Sequence, residues 1–196
     1  MKKGTITLIV ILVLLAFVSI SLISFYNRMV EREQKVESQW AQVENVYQRR
    51  ADLIPNLVNT VKGYAKHEKE TLTEVINARS KATSTTIDPS KLNAQNIQQF
   101  QQMQDNLSSA LSKLMVVVER YPDLKANQNF MELQAQLEGT ENRIATERRR
   151  FNEIAREYNT YIKKFPKNIF AGMFGFEAKA YFKAQEGAEK VPNVQF

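Results

Sequence analysis

His67 is the only histidine in this 196-residue chain, and it stands in an acidic neighbourhood: Glu68 follows it, with Glu70 and Glu74 at i+3 and i+7. A metal site wants two or more ligands converging on one face, as in H-E-x-x-H. One imidazole with two carboxylates downstream offers at most an acidic cluster, so His67 is read as a surface or helix-capping residue. The chain has no cysteine. It therefore has no thiol nucleophile, no disulfide framework and no cysteine metal site. No G-x-S-x-G elbow places a serine beside a base, and no glycine-rich phosphate loop is present. The sequence predicts no catalytic residue, no metal and no cofactor, and hence a protein that is not an enzyme.

Charge at apolar positions is the more informative signal. Arg50 falls between Tyr47 and Ile54 on an apolar stripe, and Glu141 and Arg148 fall near Leu137, Ile144 and Phe151 on another. Buried charges must pair. The spacing predicts an interhelical network of Arg50, Glu141 and Arg148, with Asp52 as a further member. Two readings stand: a polar ligand or ion site inside the protein, or a device fixing the register of two helices. The second is favoured, because arginine and glutamate satisfy each other without a ligand. Pro55 interrupts the same helical run. It removes one backbone donor and frees the carbonyl of Ala51. A fixed kink that lets a long helix wrap its neighbours is favoured over a moving hinge.

The elements that must position these residues are helices. Leu53, Leu57, Val61 and Ala65 recur at helical spacing, and the wider stripe runs from Val36 through Trp40, Val43 and Tyr47 to Leu72 and Val75. This predicts one helix from about Arg28 to about Ala82, roughly 80 Å long. Thr83 to Ser90 reads as a turn, with Asp88 as N-cap and Pro89 at the first helical position. A second helix then carries Leu92, Phe100, Leu107 and Leu114 and stops at Pro122. A third starts near Asn127 or Asn129 and ends at Pro166. The phenylalanine-rich tail predicts a short fourth helix from about Ile169 to about Gln185. Its Phe170, Phe174, Phe176 and Phe182 form a candidate interface patch, although clustered large apolar residues more often bury as core.

Ahead of this, Gly4 to Asn27 contains no charged residue, and residues 6–26 are apolar apart from Thr7, Ser19, Ser21 and Ser24. About 20 apolar residues span a bilayer as a helix. The run exceeds a cleaved signal's apolar region and lacks a suitable small-residue cleavage site. An uncleaved signal anchor, contacting membrane lipid through residues 6–26, is predicted. Lys2 and Lys3 on one side and Arg28, Arg32 and Lys35 on the other nearly balance the positive-inside count. The signal-anchor start favours the N-terminus inside and the bulk on the periplasmic side of the inner membrane. The net charge is +6. Basic and acidic residues interleave along helix faces, and no basic stripe carries aromatics, so no nucleic-acid partner is expected. The domain organisation is read as an anchor over residues 1–27, a helical bundle over 28–186 and a frayed tail over 187–196. The fold class is all-α, an N-terminal transmembrane helix continuing into a long antiparallel, coiled-coil-like bundle of three long helices and one short one.

The stretches RRADLIPNLVNTVKGYAKHEKETL, ERYPDLKANQNFMELQAQLEGTENRIATERRRFNEIAREYN and the Phe165-Pro166 pair resemble the LemA family over nearly the whole chain. The resemblance implies a bacterial membrane protein with one N-terminal span and an α-helical bundle, and it implies no catalytic residues. One relative of the family is a magnetosome protein linked to membrane organelle formation, which by analogy supports a membrane-shaping role. The expectation is a membrane-anchored scaffold that self-associates and organises membrane or envelope partners. The alternative is a monomeric envelope adaptor that binds a membrane protease or sensor.

Overall fold

The structure, a computed structural model, describes residues 3–183. Helix α1 spans Lys3–Tyr64 without interruption. It is followed by α2 (Lys69–Ser84), a 3-10 turn (Pro89–Lys91), α3 (Ala94–Val118), the single turn α4 (Pro122–Lys125), α5 (Gln128–Lys163) and α6 (Lys167–Phe174). There is no strand among the described residues. The fold is all-α.

The two ends of α1 meet different surroundings. Residues 4–20 are all exposed, whereas from Met29 onward buried positions recur at helical spacing. The exposed part is long and apolar enough to cross a membrane. The remainder is the bundle's central helix. Alpha-helix α5 packs along it antiparallel: Arg32 faces Glu157, Gln39 donates to Glu147, and Arg50 pairs with Glu141, so rising numbers on α1 meet falling numbers on α5. On α1's other flank α2 folds back as a hairpin, and α3 runs antiparallel to α2. The core divides into two clusters. One surrounds Trp40, Phe100, Phe151 and Tyr158 on the half nearer the apolar end of α1. The other surrounds Ile54, Leu57, Val75, Leu114 and Phe130 at the far end.

Two helix ends differ from the sequence expectation. The first helix does not reach Ala82: it stops at Tyr64, turns through residues 65–68 and restarts as α2. Gly63 just before the stop weakens the helix. Periodicity could not show the reversal, because Ala65 and Leu72 both face the core and lie two helical turns apart in sequence. The predicted fourth helix is also too long. Alpha-helix α6 ends at Phe174, capped by Gly175 at φ 77°, a left-handed conformation that glycine adopts freely. Residues 176–183 then run without helix. The tail expected to fray, 187–196, lies outside the described residues.

The capping chemistry is local and explicit. The Asp88 side chain caps the 3-10 turn rather than α3, and Asn93 caps α3 by accepting from the Asn96 amide at 2.9 Å. Asn127 caps α5, accepting from the Phe130 amide at 3.0 Å. Each satisfies one of the amides that a helix start leaves unpaired.

Candidate functional site

Three polar constructions are set into the core of this bundle. The first surrounds Arg50, whose side chain is only 2% exposed. One guanidinium nitrogen donates to Glu141 Oε1 at 2.7 Å and to Ser108 Oγ at 2.8 Å. The other donates to Gln104 Oε1 at 2.6 Å and to the Gln104 carbonyl at 3.2 Å. The Gln104 amide in turn reaches the Ala82 carbonyl at the end of α2. One cation thus ties α1 to α3 and α5, and through Gln104 to α2. The guanidinium also lies over the Tyr47 ring, 5.1 Å from its centroid. Burial pushes the Tyr47 phenol above its usual range, with the Arg148 and Arg50 charges acting against it.

Asp52 and Arg148 do not belong to this network. Asp52 lies two residues from Arg50, which rotates it to the opposite side of α1, where it accepts from Gln48 at 2.7 Å. Arg148 is seven residues past Glu141, two turns along α5, too far to share the same partners. It donates instead to the Lys183 carbonyl at 2.8 Å and lies over the Phe182 ring.

The second construction answers Pro55. Alpha-helix α1 passes through Pro55 unbroken. The Ala51 carbonyl, which would have received an amide from position 55, accepts instead from Arg79 Nε of α2 at 2.7 Å. Arg79 continues the helical spacing of Leu72 and Val75, four residues past Val75. The signal was available: a cation on a core stripe and an orphaned carbonyl on another must each be satisfied.

The third is the segment after Gly175, which lies without helix as a strap along α5 and reaches the 3-10 turn and the start of α3. Asn159 both donates to the Lys179 carbonyl (2.8 Å) and accepts from the Lys179 amide (2.9 Å). Asn152, two turns earlier on α5, does the same for Phe182. The Ala180 amide donates to the Leu92 carbonyl. Phe182 is buried between Trp40, stacked on it at 5.8 Å, and Phe151. Lys179 is buried too, paired with Glu33 at 2.6 Å and donating to the Ser90 carbonyl. It lies near Tyr158, whose buried hydroxyl has no hydrogen-bond partner among the described residues and whose phenol is raised far above its usual range, chiefly by burial. Asn152, Asn159 and Lys179 were missed because a helix was expected there, and a helix would have needed no asparagine to hold its backbone.

The four tail phenylalanines therefore separate. Phe182 is core. Phe170 and Phe176 are half-buried against Phe25 and Tyr26 at the bundle end of the apolar run, and Phe174 packs edge-on to Tyr26 while remaining largely open. His67 lies exposed in the α1–α2 turn. No group of three or more His, Asp or Glu is arranged to hold a metal among the described residues. A cleft of about 250 Å³ beside the Arg50 network is lined by Glu44, Tyr47, Gln48, Thr83, Phe100 and Gln104. Glu44 is raised from the usual carboxylate range by burial, against which the Trp40 indole and the Ile87 amide act. The indole makes no hydrogen bond of good geometry, so burial is the effect that decides.

With this geometry in hand, comparison with known proteins is direct. The LemA family model matches residues 39–196. The chain belongs to the LemA family. It is 24% identical over 163 residues to Protein LemA of Metamycoplasma hominis, covering 82% of this chain and 69% of that protein. It is 26% identical to Magnetosome protein MamQ of Magnetospirillum gryphiswaldense, covering 93% of this chain and 74% of the relative. Magnetosome protein MamQ 2 of Paramagnetospirillum magneticum is 36% identical over 81 residues, covering 41% of this chain. The match spans only 30% of that relative's length. The family match begins at Gln39, inside α1, and includes all three polar constructions apart from Glu33, the partner of Lys179. None of these three relatives is named for an enzymatic activity.

Proposed function

We propose that this LemA family protein is a single-pass, membrane-anchored scaffold that self-associates and holds membrane or envelope partners at a fixed distance from the bilayer. One observation carries the reading: the apolar run and the bundle's central helix are the same helix. At 1.5 Å per residue the 62 residues of α1 extend about 93 Å. A flexible tether would let the bundle wander, whereas a continuous helix transmits position and orientation. The Arg50 network, the Arg79 contact and the strap all lock other elements onto this rod, which suits a structural role better than a ligand site. The magnetosome proteins among its relatives support a part in membrane organisation by analogy only. The signal-anchor start of the sequence supports a bundle on the periplasmic side of the inner membrane.

The decisive experiment is the native mass of the full chain extracted in its own lipid. Homomeric particles of several copies are expected. A monomer or loose dimer would favour the adaptor reading, in which one protease or sensor is the partner. Because the chain has no cysteine, Asn193→Cys supplies a single thiol for the topology. Labelling by a membrane-impermeant maleimide in intact cells is expected; labelling only after lysis would put the bundle in the cytoplasm.

A further inference from the structure

Alpha-helix α6 carries an apolar face that the bundle does not cover. Ile169 and Met173, one turn apart, are 50% and 73% exposed, and Phe165 just before the helix is 81% exposed. Monomeric soluble proteins rarely display such a group without a use for it. Its place in the fold says what the use is. Phe170 packs on Phe25, and Phe174, a full turn further on, packs on Tyr26, the next residue of α1. The whole length of α6 therefore meets α1 at one level, where the uncharged run ends. It crosses α1 rather than running along it. If α1 stands in the bilayer, α6 lies in the plane of its surface.

Charge of the matching sign lies beside α6, at Lys164 and Lys167 and, about 9 Å further along α1 from Tyr26, at Arg32. Arg32, Arg156, Lys164 and Lys167 surround a shallow hollow of about 310 Å³ beside α6, with Glu157 as its only carboxylate. Glu157 lies 3.9 Å from Arg32, at the edge of an ion pair. The Lys167 ammonium lies over the Tyr161 ring, 4.0 Å from its centroid, on the wall of the hollow. Basic residues beside large apolar and aromatic ones, at the end of a membrane span, are the make-up of an interfacial helix.

We propose that α6 is a second membrane contact: Phe165, Ile169 and Met173 enter the headgroup–acyl boundary, and the Arg32, Arg156, Lys164 and Lys167 hollow receives the phosphate of an anionic lipid. The inference rests on the reading that residues 6–26 cross the bilayer. A single span leaves the rod free to tilt and spin. A side foot one helix wide stops both, and it gives the scaffold a defined azimuth as well as a defined height. The protein would thereby respond to lipid charge at a place distinct from its span.

The test uses the full chain as single-cysteine variants carrying a nitroxide at Ile169→Cys, Met173→Cys, Leu12→Cys in the span, or Ser80→Cys on the exposed face of α2. Each is reconstituted at low protein-to-lipid ratio in phosphatidylcholine vesicles with or without phosphatidylglycerol. Collision with oxygen is compared with collision with a water-soluble nickel chelate. Labels at 169 and 173 should favour oxygen as the Leu12 label does, more so with phosphatidylglycerol, while Ser80 favours the chelate. Lys164→Gln and Lys167→Gln should each lower the ratio of lipid-like to water-like signal in anionic vesicles on the order of fivefold. Water-like labels at 169 and 173 beside a lipid-like label at 12 would overturn the side contact and leave the span standing. A water-like label at 12 would overturn both. Protection at 169 and 173 that grows with protein-to-lipid ratio, and not with lipid charge, would assign the face to a second copy and overturn the lipid assignment.

Discussion

Removing the Arg79 side chain should cost more stability while Pro55 is present than after Pro55 is replaced by alanine. The Ala51 carbonyl is buried, and its one recorded side-chain partner is Arg79 Nε at 2.7 Å. A buried carbonyl stripped of its partner costs about 1–3 kcal/mol, and a charged donor puts this contact toward the upper part of that range. Arg79→Met, which keeps most of the stem, should therefore destabilise the bundle by about 2 kcal/mol. In a Pro55→Ala background the amide of residue 55 is restored and reaches the same carbonyl. There the same substitution should cost under about 1 kcal/mol, giving a coupling of about 1–1.5 kcal/mol between two residues that do not touch. Pro55→Ala alone should stabilise, by less than the roughly 3 kcal/mol of an interior helix proline, because Arg79 already compensates part of the loss. The assay is urea unfolding of the full chain in detergent micelles. Trp40, the only tryptophan, lies among Phe100, Phe151 and Phe182 and reports the fold by its emission. Equal costs of Arg79→Met in both backgrounds would refute the reasoning and make Arg79 an ordinary packing residue.

Other residues make separate predictions. Glu141→Ala should destabilise more than Arg50→Met, by about 3 against about 2 kcal/mol, although Glu141 is 46% exposed and Arg50 is buried: the first leaves a buried cation without its counter-charge, the second leaves a half-solvated carboxylate and the neutral Gln104 and Ser108 oxygens. Urea midpoints of the two variants in the reverse order would contradict this. Phe182→Ala should cost about 3 kcal/mol and shift Trp40 emission to the red, and Gly175→Ala, forced to φ 77°, should cost about 1 kcal/mol without moving the emission. For Glu44 the folded-state value lies above the ordinary 4.5, so the fold favours the protonated form. That contribution is fully present below the unfolded value and is lost as pH rises through the folded one. Thermal melts of the native chain should therefore lose stability from pH 4.5 upward in a component that Glu44→Gln lacks.

Helical class, the apolar run, the caps at Asn127 and Asp88 and the Arg50–Glu141 pairing can all be reasoned from residue type and spacing, because each is a local rule acting on one face of one helix. Three features resist that reasoning for a common cause. The turn at 65–68 hides because both arms of the α1–α2 hairpin face one core, so the stripe keeps its phase across the reversal. The strap hides because Phe176, Tyr181 and Phe182 read equally well on a helix, and what decides is the pair of asparagines on a distant part of α5. Arg148 sits on the expected stripe, but two turns along the helix outrun the reach of one guanidinium. In each case the missing information is which element lies opposite, and that is a property of the fold rather than of the segment.

A scaffold of fixed height requires α1 to be one rod from bilayer to bundle. Nitroxides at Ile20→Cys and Ser38→Cys, both exposed and on the same face of α1, should lie about 27 Å apart along eighteen residues of helix. Pulsed electron-spin distance measurement on the full chain in proteoliposomes should return one narrow peak at that separation. A broad distribution reaching well below it would place a hinge at the membrane boundary and contradict the scaffold.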